Sequence, residues 1–294
     1  MTHLQWDKKL TKKHKLLILF VMFLLGSAYP TAKLGLNESI PPILFGSIRM
    51  AIVFLCLLPF IKLELPNKKY LLPLLGFAIS MGAGVNLFLY LSVDASNILA
   101  PIVIGAQLSI PIAIIFSSLF IGESVSLKKW ILIITSFLGI ILIGFDPKIA
   151  DEILGFLLIC CMAFFYASSQ VFSRYLKELD VKFNSAFMGL VGFIILLILS
   201  IFFEGSTTSH IKNMNVDAWV LALHHGLLCS LMGHMSMFYL YRFYPVGQVL
   251  PFYALFPVFG LILTFLIFGE IPTLIMVTGG IIVVLSVFML QKIR

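Results

Sequence analysis

The sequence predicts an all-α polytopic membrane protein of ten transmembrane helices arranged as two inverted five-helix repeats, and three observations carry that prediction. The first is composition: 294 residues with 61% hydrophobic and 11% charged side chains, against roughly 45–50% and about 25% in soluble domains. The second is run length. The apolar residues come in uninterrupted stretches of about 18–22, enough to cross about 30 Å of hydrocarbon at about 1.5 Å per residue. A bilayer offers no water to unpaired amides, so each stretch must be a helix or part of a closed barrel; continuous rather than alternating hydrophobicity selects helices. The third is internal repetition after five spans.

The elements follow in order. Lys8, Lys9, Lys12, Lys13 and Lys15 precede an apolar run from Leu16 to Leu36 with no small-residue cleavage site, so this is a retained first span rather than a secretion signal. The second span (42–61) contains Arg49, and the third (70–92) Asn86 and Tyr90. The fourth (97–120) holds Gln107 and Pro111 and ends in Phe120-Ile121-Gly122-Glu123; the fifth (128–145) begins at Lys128-Lys129. The sixth (153–174) carries Tyr166, Ser169 and Gln170 and ends in Arg174; the seventh (185–203) precedes the longest polar loop, Gly205 to Val216. The eighth (217–240) contains His224, His225, His234 and Tyr239. The ninth (248–268) contains Gln248, Pro251, Tyr253 and Pro257 and ends in Ile267-Phe268-Gly269-Glu270, and the tenth spans 273–291.

Lys and Arg set orientation. With the N-terminus inside, the inner segments hold the N-terminal lysines, Lys62, Lys68, Lys69, Lys128, Lys129, Arg174, Lys177, Lys182, Arg242, Lys292 and Arg294, while the outer loops hold only Lys148 and Lys212. Both termini are therefore expected in the cytoplasm, with the chain in a bacterial cytoplasmic (inner) membrane. The net charge of +7 is explained by these span-flanking cations rather than by a nucleic-acid surface. Cys56, Cys160, Cys161 and Cys229 lie in apolar runs without metal-ligand spacing and read as packing residues.

The two Gly-Glu span ends are offset by 147 residues. Pro111 matches Pro257, Gly84 matches Gly233, Tyr90 matches Tyr239, and the cations closing the first and sixth spans, Lys33 and Arg174, match in the same order. Five spans is an odd number, so the second copy, 147–294, enters the membrane from the side opposite to the first, 1–146. That is the inverted repeat of alternating-access carriers, with a site expected near the midplane. Gly26-Ser27-Ala28-Tyr29 with Lys33, Pro41 with Arg49, and Glu123 with Glu270 together resemble the drug/metabolite transporter superfamily, EamA type. Leu25 stands where that family usually has tryptophan. The resemblance implies ten helices, a central cavity, and movement of amino acids, nucleotide-type metabolites or other small solutes.

A charge inside lipid costs about 2.5–3.5 kcal/mol on insertion scales, which makes Arg49 and, nearer the surface, Lys33 candidates for an anion site. The alternative is that both snorkel, with Arg49 neutralised by helix carbonyls and Asp94. No carboxylate is embedded, leaving His224, His225 and especially His234 to titrate, or simply to hydrogen-bond between helices. Tyr29, Asn86, Tyr90, Gln107, Tyr166, Gln170, Tyr239 and Tyr253 complete the candidate lining, where they either orient substrate or pack. No phosphate loop, serine elbow, acid pair or metal cluster is present, so no enzyme activity and no cofactor is expected. The expected partners are a small-molecule substrate and membrane lipid, with no nucleic acid, in a monomer or homodimer. The leading substrate is an amino acid or related metabolite; a nucleotide-type metabolite such as S-adenosylmethionine and a non-transporting scaffold are the alternatives.

Overall fold

A computed structural model describes residues 10–38, 40–62, 66–241, 243–244 and 249–292, with the side chains of residues 234, 238, 241, 250 and 251 outside the description. All regular structure among the described residues is helical. Among the described residues, nine helices are long and apolar enough to cross a membrane: Lys12–Asn37, Pro42–Phe60, Lys68–Asp94, Ala100–Ile121, Leu127–Gly144, Ile153–Tyr175, Val181–Phe203, Val216–Met237 and Leu274–Lys292. A shorter apolar helix, Phe252–Phe268, lies between the last two and completes ten. Successive spans alternate in direction. The side where the first begins and the tenth ends is called the terminal face, and the other the far face.

Local chemistry sets the ends. Asn67 caps the third span by accepting from Lys69 N–H, and Asp180 caps the seventh by accepting from Lys182 N–H. That cap starts the seventh helix at Val181, four residues before the expected boundary. The fourth and ninth spans stop at Gly122 (φ 77°) and Gly269 (φ 67°). These left-handed positions are open to glycine without a Cβ penalty, which accounts for the repeated Gly-Glu ending. The segment from Gly205 to Val216, expected as a loop, contains the short helix Thr207–Asn213, whose Ser209 and His210 amides bond back to the Ser206 carbonyl.

The repeat extends to helical irregularities. The third span is π-helical over Ala78–Gly84 and the eighth over His224–Gly233, both ending at the matched glycines. Asn86 Nδ2 donates to the carbonyls of Met81 (3.1 Å) and Gly82 (2.9 Å) beside the first of these stretches. The fourth and ninth spans tighten to 3₁₀ geometry at Ala106–Leu108 and Leu250–Leu255, just before Pro111 and Pro257. Each proline lacks the N–H that would have bonded four residues back, to Gln107 and Tyr253. The Tyr253 carbonyl accepts instead from Phe256 N–H, three residues on.

The second span packs most closely on the seventh, the fifth on the tenth and the first on the ninth. Large apolar side chains such as Leu72, Phe202 and Leu274 point outward at 78%, 78% and 82% exposure, a surface suited to lipid rather than water. Where the third and seventh spans cross, a Cβ on Gly192 would lie 2.7 Å from the Gly82 carbonyl carbon. Backbone cannot move aside as a side chain end can. Gly192→Ala is expected to force these spans apart and cost about 1–3 kcal/mol, seen as a lower melting temperature of the purified protein in detergent.

Candidate functional site

The functional cluster is built on the far-face half of the first, second, third and eighth spans. Arg49 lies seven residues into the second span, about 10 Å below its far end at helical rise. Its Nε–H donates to Ser230 Oγ at 2.8 Å, and Ser230 Oγ–H donates to the His225 carbonyl at 2.9 Å within the π-helical stretch. Among the described residues no carboxylate comes within ion-pair distance of Arg49; Asp94, considered as its neutraliser, is exposed at the end of the third span. A guanidinium has five donors in a fixed fork. Arg49 thus holds a positive charge inside the bundle with donor capacity to spare, and its field reaches Tyr29, Tyr90, His224, His225 and Cys229.

Hydroxyls and imidazoles surround it. The Tyr90 hydroxyl lies 2.9 Å from His225 Nδ1, and Thr31 Oγ1 lies 3.0 Å from His225 Nε2 and 3.4 Å from His224 Nδ1. Ser27 Oγ lies 3.2 Å from His224 Nε2. Tyr90 and His225 are fully buried, with Phe45 stacked on the Tyr90 ring at 4.6 Å. Tyr29 stacks on Phe256 at 6.3 Å with nearly parallel rings, joining the first span to the ninth.

The other sequence candidates are placed as follows. Tyr166 is half-buried within electrostatic reach of Tyr29. Gln107 is fully buried beside the sixth span, and neither atom of its amide has a hydrogen-bond partner among the described residues. Asn86 is buried and donates to the π-helical carbonyls; its Oδ1 has no partner among the described residues. Tyr253 is half-buried in the 3₁₀ turn. Gln170 is exposed, and Tyr239, 45% exposed, meets His14 and Phe243 rather than the cluster. The side chain of His234 lies outside the described residues. Ser27, Thr31, Cys229 and Ser230 join the cluster without having been singled out as lining residues. The four-residue spacing of Ser27 and Thr31 on one helical face was a usable signal; Ser230 depends on the π-helical register, which sequence does not reveal. Cys229, read as packing, is indeed buried but also donates Sγ–H to the Leu24 carbonyl.

The two faces differ. At the far face Lys33 Nζ donates to the carbonyls of Val93 (3.1 Å) and Ser96 (2.6 Å). Glu270 accepts from the amides of Leu99 and Ala100, at 2.8 Å each. The first and ninth spans thereby grip both sides of the connection from the third span to the fourth, beside an end pocket of about 300 Å³. Glu204 caps the second span in the same way through the amides of Ile43 (2.6 Å) and Leu44 (2.9 Å). At the terminal face the repeat partners of Lys33 and Glu270, namely Arg174 and Glu123, bond to one another at 2.8 Å and are nearly half exposed.

The same architecture occurs in known proteins. A crystal structure of a protein 17% identical in sequence matches with a TM-score of 0.65 over 96% of this chain and 98% of its own, a likeness of fold. The protein of Bacillus subtilis (strain 168) named uncharacterized transporter YdfC is 28% identical over 276 residues, covering 88% of this chain and 84% of its own. The model of the EamA-like transporter family matches twice, over residues 13–145 and 153–291. With both halves matched, this two-repeat, all-helical membrane chain belongs to the EamA-like transporter family.

Proposed function

We propose that this transporter moves amino acids or closely related metabolites across a bacterial cytoplasmic membrane, with both termini in the cytoplasm and the halves 1–146 and 147–294 rocking about the cluster by alternating access. The observation that carries the reading is Arg49: a guanidinium fork in the bundle with no described carboxylate beside it, touching only the neutral Ser230 and Tyr90 hydroxyls among its hydrogen-bond partners in the described residues. A carboxylate matches that fork with two parallel charge-assisted hydrogen bonds. Tyr29 supplies aromatic surface near the same charge, with Tyr166 beside Tyr29, and Gln107 supplies an amide without a protein partner among the described residues.

Counterflow tests the reading. Proteoliposomes preloaded with an unlabelled mixture of the twenty amino acids are expected to accumulate labelled amino acid transiently above protein-free vesicles. Equal signals in both would remove amino acids as substrates, and exchange of S-adenosylmethionine alone would move the assignment to nucleotide-type metabolites.

Gln107 gives a second check. A buried polar group without a partner costs about 1–3 kcal/mol, so a residue retained only for packing would be better as leucine. Gln107→Leu is expected to raise the melting temperature while lowering counterflow at least fivefold. Unchanged counterflow would place the amide outside the substrate path.

A further inference from the structure

We infer that His224 is a proton-binding site coupled to Arg49, so that an anionic group reaching Arg49 brings a proton with it. The inference rests on the proposed anchoring of a carboxylate by Arg49 and adds the ion that travels or titrates with it.

The hydrogen-bond directions around the two imidazoles are fixed by their neighbours. Thr31 Oγ1–H donates to the Ser27 carbonyl at 2.6 Å, and Ser27 Oγ–H donates to the Leu24 carbonyl at 2.8 Å. Cys229 Sγ–H donates to the same Leu24 carbonyl at 3.2 Å. All three hydrogens are engaged, so toward the rings these groups present lone pairs. His225 is satisfied as a neutral ring: Nε2–H donates to Thr31 Oγ1 at 3.0 Å, and Nδ1 accepts from the Tyr90 hydroxyl at 2.9 Å. His224 differs. Its Nε2 faces Ser27 Oγ at 3.2 Å, and its Nδ1 faces Thr31 Oγ1 at 3.4 Å and Cys229 Sγ at 3.6 Å. Both ring nitrogens therefore face acceptors. A neutral imidazole has one N–H and leaves one nitrogen opposed to a lone pair; an imidazolium has two and satisfies both.

The site is built for a proton, but Arg49 opposes it. The titratable groups facing His224 are Arg49 from the second span, Tyr90 from the third by way of His225, and His225 and Cys229 from its own span. The first span contributes the neutral Ser27 and Thr31. Among the described residues no carboxylate offsets the guanidinium there. An anion docking on Arg49 removes that opposition, and by linkage protonation of His224 in turn strengthens anion binding. His224 is half-buried whereas His225 is fully buried, which leaves the first ring the more accessible of the two.

Two measurements on the full-length protein in detergent separate this inference from the substrate reading. The twenty-amino-acid mixture is added to protein in weakly buffered solution with a pH indicator, and its effect on the melting temperature is recorded in parallel. The expected result is a raised melting temperature together with uptake of about one proton per chain, and apparent affinity that rises about tenfold per pH unit on acidification while His224 is neutral in the free protein. His224→Gln should retain a smaller thermal shift that no longer grows on acidification, and lose the proton uptake. A thermal shift without proton uptake in the native protein, or uptake that persists in His224→Gln, would overturn the inference and leave the substrate reading standing. Neither thermal shift nor uptake would remove both.

Discussion

Arg49→Gln is expected to reduce transport efficiency by about 100- to 20,000-fold while leaving the protein folded. The magnitude follows from the fork. Hydrogen bonds to charged groups contribute about 1.5–3 kcal/mol each, a carboxylate takes two from a guanidinium, and each 1.4 kcal/mol is about tenfold. Retention of the fold follows from the absence of a described counter-ion. Removing one member of a buried ion pair strands the other charge at a cost of about 3–5 kcal/mol, but Arg49 meets Ser230, a neutral group, at 2.8 Å. Arg49→Lys separates charge from geometry: it keeps the cation and loses the planar fork, so activity about tenfold below native is expected. The measurements are initial uptake rates in proteoliposomes and the melting temperature of each variant. Activity of Arg49→Gln within threefold of native would leave Arg49 as a snorkelling residue without a transport role.

The features legible in the sequence were those that lipid itself enforces. Run length located the spans to within a few residues, since a hydrocarbon slab tolerates neither a shorter helix nor an unpaired amide. Gly122 and Gly269 were visible as a repeat before their left-handed geometry explained why glycine recurs there. Arg49 stood out because a charge in an apolar run requires a reason. The rest depended on geometry that residue order does not encode. The placing of His224 and His225 turns on the π-helical stretch His224–Gly233, which sets the faces on which the eighth span presents Cys229 and Ser230. Tyr90 and Tyr239 are equivalent by repeat, yet one is fully buried and the other 45% exposed. Sequence equivalence treats the two membrane faces alike, whereas a carrier at any moment holds them in different states.

That asymmetry makes Glu270 the second large effect. At the far face its carboxylate receives two backbone amides at the start of the fourth span, where unsatisfied N–H groups and the positive helix end both favour an anion. At the terminal face the equivalent Glu123 holds only the exposed Arg174, a contact of the kind that contributes about 0–1 kcal/mol. The far face is thus held the more firmly. Glu270→Gln keeps one neutral acceptor oxygen but loses the charge and one strong hydrogen bond, a loss of about 2–4 kcal/mol. That is enough to raise the population open at the far face by about 30- to 1,000-fold, set by the difference in affinity of the latch for the two states. Val103 reports it, being fully buried about one turn inside the capped end and in line with Gly260 of the ninth span. With Cys56, Cys160, Cys161 and Cys229 replaced by serine and Val103→Cys introduced, a membrane-impermeant maleimide added at the far face should react at least tenfold faster in Glu270→Gln than in the parent. Glu123→Gln, which loosens only the terminal-face contact, should not accelerate labelling there. Equal rates in Glu270→Gln and its parent would mean that side-chain packing between the first, fourth and ninth spans, rather than the Glu270 cap, keeps the far face shut.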